Sequence, residues 1–436
     1  VIQILVKDLN ATQDIEIYTD CIKTYLLVTR NLEITMKLKA LMLGVAAAAT
    51  ATTAQAADLP VAPEPVDYVR VCDAYGSRFY YIPGTETCLR VGGRLRTQFV
   101  VNNVLEDGPW GSRDSDGYSW LTRGYAYLDA RNATEFGTLR AYVGLRMQVE
   151  NGENGFKLDA GYIQWGGLTA GYLGSNFNIY TGQAFIGVVT RDWSDVTTNQ
   201  LAYTAAFGNG FSATVALEDR SDREVGDYGG TRAPDFVAAL SMSQGWGSAQ
   251  LSGALHQVYP DANFNGKIPH GGSEDSLGWA VGAGVNVNLP FASSGSNIYF
   301  QGFYADGALS YIGNGITDIS VVSNTGTTLG SVADYGGNGD KSTGYSLSAG
   351  VYIQATPTIG LAVDGSYAHV DQEDFIGATD ADIDRWAIDG SVQWEPVSGF
   401  VLGADVGYSN TSADITGQNV DDLDELLFGV RMQRTF

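Results

Sequence analysis

The chain has 436 residues, 25 Lys+Arg against 49 Asp+Glu, a formal net charge of −24 and 55 glycines. Such acidity excludes a nucleic-acid binder that works through a basic stripe. A hydrophobic fraction of 44%, with 11% aromatic residues, excludes a disordered chain. Abundant Gly, Tyr, Asn and Ser point to strands and turns.

Near the start, Met36-Lys37-Leu38-Lys39 is a short basic segment, followed by an apolar run from Ala40 to Ala54 and the small-x-small site Ala54-Gln55-Ala56. This pattern predicts a signal peptide over 36–56, cut between Ala56 and Ala57. The run is too short and too rich in alanine for the ~20 apolar residues of a membrane helix. Residues 1–35 precede that signal and are expected to be an over-extended reading frame absent from the native protein. Beyond residue 56 only Lys157, Lys267 and Lys341 stand beside 17 Arg, a bias toward fixed, always-charged forks.

Residues 57–87 read as a periplasmic N-terminal segment and 88–436 as the main domain. Cys21 falls in the leader, which leaves Cys72 and Cys88 as an even pair in an exported chain. They read as one disulfide, the alternative being a metal site for which no neighbouring His is present. Closing so short a loop contributes about 3 kcal/mol in the chain-entropy picture.

From residue 89 the pattern has period two. Leu89, Val91, Gly93, Leu95, Thr97 and Phe99 alternate with Arg90, Gly92, Arg94, Arg96 and Gln98. The same alternation recurs over 277–287, 345–354 and 400–408. One face is apolar and the other polar or glycine, over about ten residues at a time. Short turns near 132–137, 166–167, 208–210, 245–247, 289–295, 356–358 and 395–399 alternate with long polar stretches near 102–117, 150–156, 176–198, 218–234, 258–276, 305–343, 370–384 and 409–422. Seven turns and eight long loops join sixteen strands, with both chain ends on the short-turn side. A soluble sandwich gives no reason for that asymmetry. A transmembrane antiparallel β-barrel with short periplasmic turns and long extracellular loops does, and only a closed barrel satisfies every strand hydrogen bond in lipid. The chain closes on Leu426, Phe428, Val430 and Met432, then Arg434-Thr435-Phe436, an aromatic end expected at the membrane interface and read as the C-terminal assembly signal.

Val69-Arg70-Val71-Cys72-Asp73-Ala74-Tyr75-Gly76 and Phe79-Tyr80-Tyr81-Ile82-Pro83-Gly84-Thr85-Glu86-Thr87-Cys88-Leu89 resemble the opening signature of the alphaproteobacterial porin family. Asp129-Ala130-Arg131 with Thr134-Glu135-Phe136-Gly137-Thr138-Leu139-Arg140-Ala141-Tyr142 is similar to its second hairpin. Ala160-Gly161-Tyr162-Ile163-Gln164-Trp165, Leu168-Thr169-Ala170-Gly171 and the closing Gln433-Arg434-Thr435-Phe436 fit as well. The sequence departs from the family at Gly171–Asn178, where the family has a more basic and aromatic run. The resemblance implies a sixteen-stranded trimeric pore of the outer membrane whose third loop folds into the lumen.

The residues point to a pore independently. Arg90, Arg94 and Arg96 share the non-lipid face of the first strand with Gln98. Arg123 and Arg131 share that face of the second with Tyr125, Tyr127 and Asp129, and Arg140 and Arg146 that of the third with Tyr142 and Gln148. An Arg on the lipid face at mid-membrane costs ~2–4 kcal/mol, so these seven are expected to line a channel as a basic wall. Arg94, Arg96, Arg123 and Arg146 lie nearest mid-membrane. Asp192 and Asp195, in the apolar third loop, are the candidate acidic residues of the constriction. The expected function is passive diffusion of small hydrophilic solutes and ions, against the alternative of an adhesin or structural barrel with a closed lumen.

Other motifs are weak. Asp380-Ala381-Asp382-Ile383-Asp384 resembles the start of a calcium loop but lacks its Gly and closing Glu. His256, His270 and His369 stand apart, which disfavours enzymatic activity. No cofactor or metal is expected. The expected partners are outer-membrane lipid and lipopolysaccharide, the outer-membrane assembly machinery, two further copies of the chain in a homotrimer, and the permeating solutes.

Overall fold

A computed structural model of the chain describes residues 70–105, 116–261, 276–324, 326–337, 339–375 and 379–436. The reading of residues 1–35, the signal peptide and the Ala56/Ala57 cleavage site lies outside these residues, as does His270.

Sixteen strands form the wall. They are β1 (Cys88–Val101), β2 (Tyr118–Thr134), β3 (Gly137–Glu150), β4 (Glu153–Trp165), β5 (Leu168–Gly174), β6 (Thr197–Gly208), β7 (Phe211–Glu218) and β8 (Asp235–Gln244). There follow β9 (Gly247–Val258), β10 (Ser276–Asn288), β11 (Asn297–Asp306), β12 (Thr343–Thr356), β13 (Ile359–Gln372), β14 (Ala381–Val397), β15 (Phe400–Ile415) and β16 (Leu423–Thr435). Each pairs antiparallel with the next, and β16 returns to β1 from Phe428↔Val101 to Thr435↔Arg94. The sheet closes on itself, and among the described residues the one wall strand left half-paired is β4, of which only Gly161–Trp165 pairs with β5 while the rest pairs with β3 alone. Phe436 completes the seam: its amide and carbonyl exchange 3.0 Å hydrogen bonds with those of Gly93. A Cβ at Gly93 would sit 2.6 Å from the Phe436 ring, which is why the seam needs glycine there.

Period two sorts the side chains as expected. Leu95, Leu128, Val143, Leu201, Val215, Leu251, Val281, Leu347, Val363, Ile388 and Val430 stand exposed on the outside. Aromatic pairs mark both rims of that apolar band. Phe136 meets Trp165 beside the short turns at 5.5 Å, and Trp279–Tyr304 (5.3 Å) and Trp386–Tyr408 (5.0 Å) lie toward the long loops. Two aromatic girdles around an apolar belt are the profile of a membrane-spanning barrel. Arg434, the outward exception, sits at the short-turn rim and donates to the Ser398 carbonyl at 2.6 Å.

One long loop is absent. Residues 150–156 are almost wholly strand, and β3 and β4 join through Asn151-Gly152 alone. Both residues have positive φ, 49° and 89°, the backbone of a two-residue hairpin turn. The polar residues there belong to strands that continue beyond the lipid. A register shift in β4 then adds Asp159 as an extra residue opposite Gly144/Leu145, turning its carboxylate inward.

The disulfide is present, with the Cα atoms of Cys72 and Cys88 5.9 Å apart. It folds residues 70–87 back onto β1, where Tyr80–Tyr81 adds two residues of sheet. The cap buries Phe79 beneath the guanidinium groups of Arg90 and Arg131, 5.1 and 5.0 Å from its ring.

The main hydrophobic core lies inside the barrel. Phe177 and Trp193 of the third loop pack with Val225 of the fourth, with Leu309, Tyr311, Ile312 and Ile316 of the sixth, and with inward residues such as Val237, Phe303, Val370 and Ile383. The sixth loop, expected as a long polar outer loop, is an internal packing element over 309–316.

Candidate functional site

The seven arginines share the interior face of β1–β3, as their parity requires, but the register divides them into two groups. Toward the short-turn end, Arg90, Arg131 and Arg140 converge on one carboxylate, Asp129, at 3.3, 2.7 and 2.9 Å. Asp129 is buried and each arginine partly exposed, so three charges are fixed by one and the group retains excess positive charge. Higher on the wall, Arg96 lies opposite Arg123, and Arg94 and Arg146 lie on either side of Tyr125. In this second group the single ion pair among the described residues is Arg146–Asp159, at 3.7 Å. Lys157 is paired opposite Arg146 and adds a further cation.

Tyrosines connect the two groups. Tyr125 is buried beneath Arg94, whose Cζ is 4.1 Å from its ring. The ring centroids of Tyr125–Tyr127, Tyr127–Tyr142 and Tyr142–Tyr162 are 5.9, 6.3 and 5.1 Å apart, with near-parallel planes. Gln98 leaves the row: its side chain accepts from Arg431 Nε at 3.0 Å and Nη2 at 2.6 Å.

Across the lumen the third loop, 175–196, lies against the wall from β9 to β16. Gln250 of β9 donates to the Asn178 carbonyl at 3.0 Å, and Gln301 of β11 exchanges 3.0 and 2.9 Å hydrogen bonds with the Tyr180 amide and carbonyl. The amides of Gln183 and Ala184 donate to Asp364 at 2.7 and 2.5 Å, and those of Ile186 and Gly187 to Asp405 at 2.7 and 3.0 Å. Val189 donates to Asp389 at 3.3 Å. Arg191 closes the set, 3.4 Å from Asp389 and 3.7 Å from Asp364. Three adjacent strands thus each present a buried carboxylate that accepts main-chain N–H groups, which offsets the cost of burying it. Arg431 donates to the carbonyls of Phe185 and Ile186 and so ties the loop to the edge of the basic wall.

The inward path of this loop matches expectation, but the expected role of Asp192 does not. Asp192 is fully buried, 2.7 Å from Arg385 of β14, and accepts from the Ile316 amide at 2.7 Å. It clamps the third loop to the sixth and has no surface to offer a solute. Asp195 is exposed. Asp364, Asp389, Asp405, Arg385 and Arg431 were missed. Their signal was inward parity: each is a charged residue on the non-lipid face of an alternating strand, where a partner is required.

A second buried network fixes the fourth loop (219–234) to the sixth (307–342). His256 Nδ1 lies 2.9 Å from both oxygens of Asp235, and its Nε2 lies 3.0 Å from the Tyr228 hydroxyl. That hydroxyl donates to Asp334 at 2.7 Å, and Tyr311 donates to Asp235 at 2.6 Å. Burial pushes the Asp334 carboxyl above its ordinary range, against the pull of His256 and of its hydrogen-bond donors, and pushes the Tyr228 phenol up as well. The hydroxyl has one proton, so while it donates to Asp334 the bond to His256 requires the proton on Nε2, which donates to the Tyr228 oxygen. His256 is thus a structural link. Among the described residues no group of three His, Cys, Asp or Glu is placed to hold a metal ion, and Asp384 of the calcium-like stretch instead accepts from Tyr367 at 2.5 Å.

The family model described as the porin subfamily matches residues 58–425. Porin Omp2b of Brucella suis biovar 1 is 40% identical over 238 residues, 49% of this chain and 64% of that protein, and Porin Omp2b of Brucella melitensis biotype 1 is 39% identical over the same length. The matched stretch thus spans a little under two thirds of these relatives. In fold, the chain is similar to the outer membrane channel DcaP of Acinetobacter baumannii, with a TM-score of 0.57 at 15% identity over 82% of this chain and 99% of that one. OmpT of Vibrio cholerae in its trimer form superposes with a TM-score of 0.50 at 11% identity over 81% of this chain and 100% of that one. The chain belongs to the porin family, and its sixteen strands make it a multi-pass β-barrel of the outer membrane.

Proposed function

We propose that this barrel is a water-filled channel for passive diffusion of small hydrophilic solutes and ions, with a preference for anions. The observation that carries the reading is the division of the interior. The third loop is fastened by its main chain to the β9–β16 wall, leaving the side lined by Arg94, Arg96, Arg123 and Arg146 partly exposed. Charged rings at a constriction bias which ions enter, and the cations here outnumber their one paired carboxylate. The long loops carry much of the chain's net charge of −24, away from this wall. The buried position of Asp192 supports the same sign, because it removes one of two acids from the opposite bank.

The working unit is a homotrimer embedded in outer-membrane lipid and lipopolysaccharide. Phe436, at the seam between β16 and β1, is the residue read by the assembly machinery. Planar-bilayer recording of the purified protein tests the reading: conductance steps grouped in threes are expected. A silent, correctly inserted barrel would instead identify an adhesin or structural barrel with a closed lumen.

A further inference from the structure

The tyrosines between the two arginine groups have no part in closing the barrel. Tyr127 has Gly92 directly opposite on β1 and Gly144 directly opposite on β3, so neither neighbouring strand puts a side chain at its directly paired position. A Cβ at Gly144 would lie 3.5 Å from Tyr127 and 3.4 Å from Tyr142. The two rings therefore lean over the glycine from either side. Tyr162 extends the row onto β4 by direct pairing with Tyr142. These three rings are partly exposed on the interior face, and no hydrogen bond among the described residues engages their hydroxyls.

Aromatic faces and free hydroxyls on a lumen wall suit a solute with both an apolar face and hydroxyl groups. The C–H face of a sugar ring lies against an aromatic ring, and phenol hydroxyls bond its edge. Arginine stands at both ends of the row. Arg140 Cζ is 5.4 Å from the Tyr142 ring and 5.2 Å from the Tyr162 ring. Arg146 lies opposite Tyr125 at the other end. Along β3 the Cα atoms of Arg140 and Arg146 are on the order of 20 Å apart at the rise of a strand, room for a monosaccharide and its charged substituent. Asp129 holds the lower guanidiniums in fixed orientation and leaves their sum positive, so an anionic group finds a preorganised partner there.

We infer that this row is a binding track for small anionic carbohydrates, sugar phosphates and sugar acids, with the tyrosines taking the sugar and the arginines its charge. The inference rests on the channel reading for its purpose and on the wall alone for its geometry. Titration calorimetry of the purified full-length barrel in detergent, with glucose 6-phosphate, glucose and inorganic phosphate as probes, tests it. Glucose 6-phosphate is expected to bind at least tenfold more tightly than either half-molecule. Tyr142→Leu is expected to weaken glucose 6-phosphate about fivefold relative to inorganic phosphate, the scale of one lost aromatic contact. Tyr127→Leu should do the same. Equal affinity for glucose 6-phosphate and inorganic phosphate, binding of none of the three, or equal loss for both anions in the variants would overturn the track. Potassium chloride conductance of the same preparation reports on the channel separately. A conducting barrel that ignores the sugar phosphate sinks the track alone, and a binding barrel that does not conduct sinks the channel reading alone.

Discussion

Replacing Arg96 by alanine removes one guanidinium from the upper group without touching an ion pair, since Arg96 has none among the described residues. Its neighbours along the wall are Arg123, directly opposite, and Tyr125, 5.8 Å below its Cζ. An ion passing about 5 Å from that charge in water feels ~0.8 kcal/mol, which screening at 0.1 M salt reduces to ~0.5 kcal/mol. Loss of the charge raises the barrier for an anion and lowers it for a cation by that amount, so the anion-to-cation permeability ratio should fall about fivefold. Reversal potentials across a potassium chloride gradient read this ratio directly. Arg94→Ala should shift it the same way, and the double variant further. Reversal potentials unchanged in all three would remove both residues from the constriction and refute the electrostatic argument.

Asp129→Asn leaves three guanidiniums without their shared charge; with the arginines partly exposed the cost should be ~1–3 kcal/mol, seen as a lower urea midpoint. Asp405→Ala releases the Ile186 and Gly187 amides from the wall, and we expect larger open-channel current noise than in the parent barrel. Equal noise would mean that the remaining anchors suffice. Tyr228→Phe removes the hydroxyl between His256 and Asp334, and cleavage within the fourth loop by added protease should accelerate several-fold. Cys72→Ser should loosen residues 70–87 and cost about 3 kcal/mol in that segment, read by hydrogen exchange, with the barrel intact.

Strand alternation made the wall legible, because lipid demands an unbroken apolar face and that demand is written residue by residue. The basic wall was legible for the same reason: seven arginines could face only inward. What parity does not encode is which inward charge meets which. Asp192 and Arg385 are 193 positions apart and join only when the third loop lies on β14. Until then Asp192 looks like any loop carboxylate. The 150–156 stretch misled in the opposite direction, since polar composition signals a loop whether the backbone leaves the sheet or only the membrane. Asn151-Gly152 held the clue, as a two-residue turn flanked by strand-forming residues. Gly92 and Gly144 gave none, since a glycine's use appears only once its cross-strand neighbour is known.

The third loop is held chiefly by its amides, which four of its residues give to Asp364 and Asp405. Main-chain anchors are indifferent to the side chain that hangs from them. At Ala184, which holds to the wall through its amide, the side chain can therefore be changed while the loop keeps its place, so long as proline, which has no N–H, is avoided. Selection, or an engineer, can retune what the barrel admits one substitution at a time without asking it to fold anew.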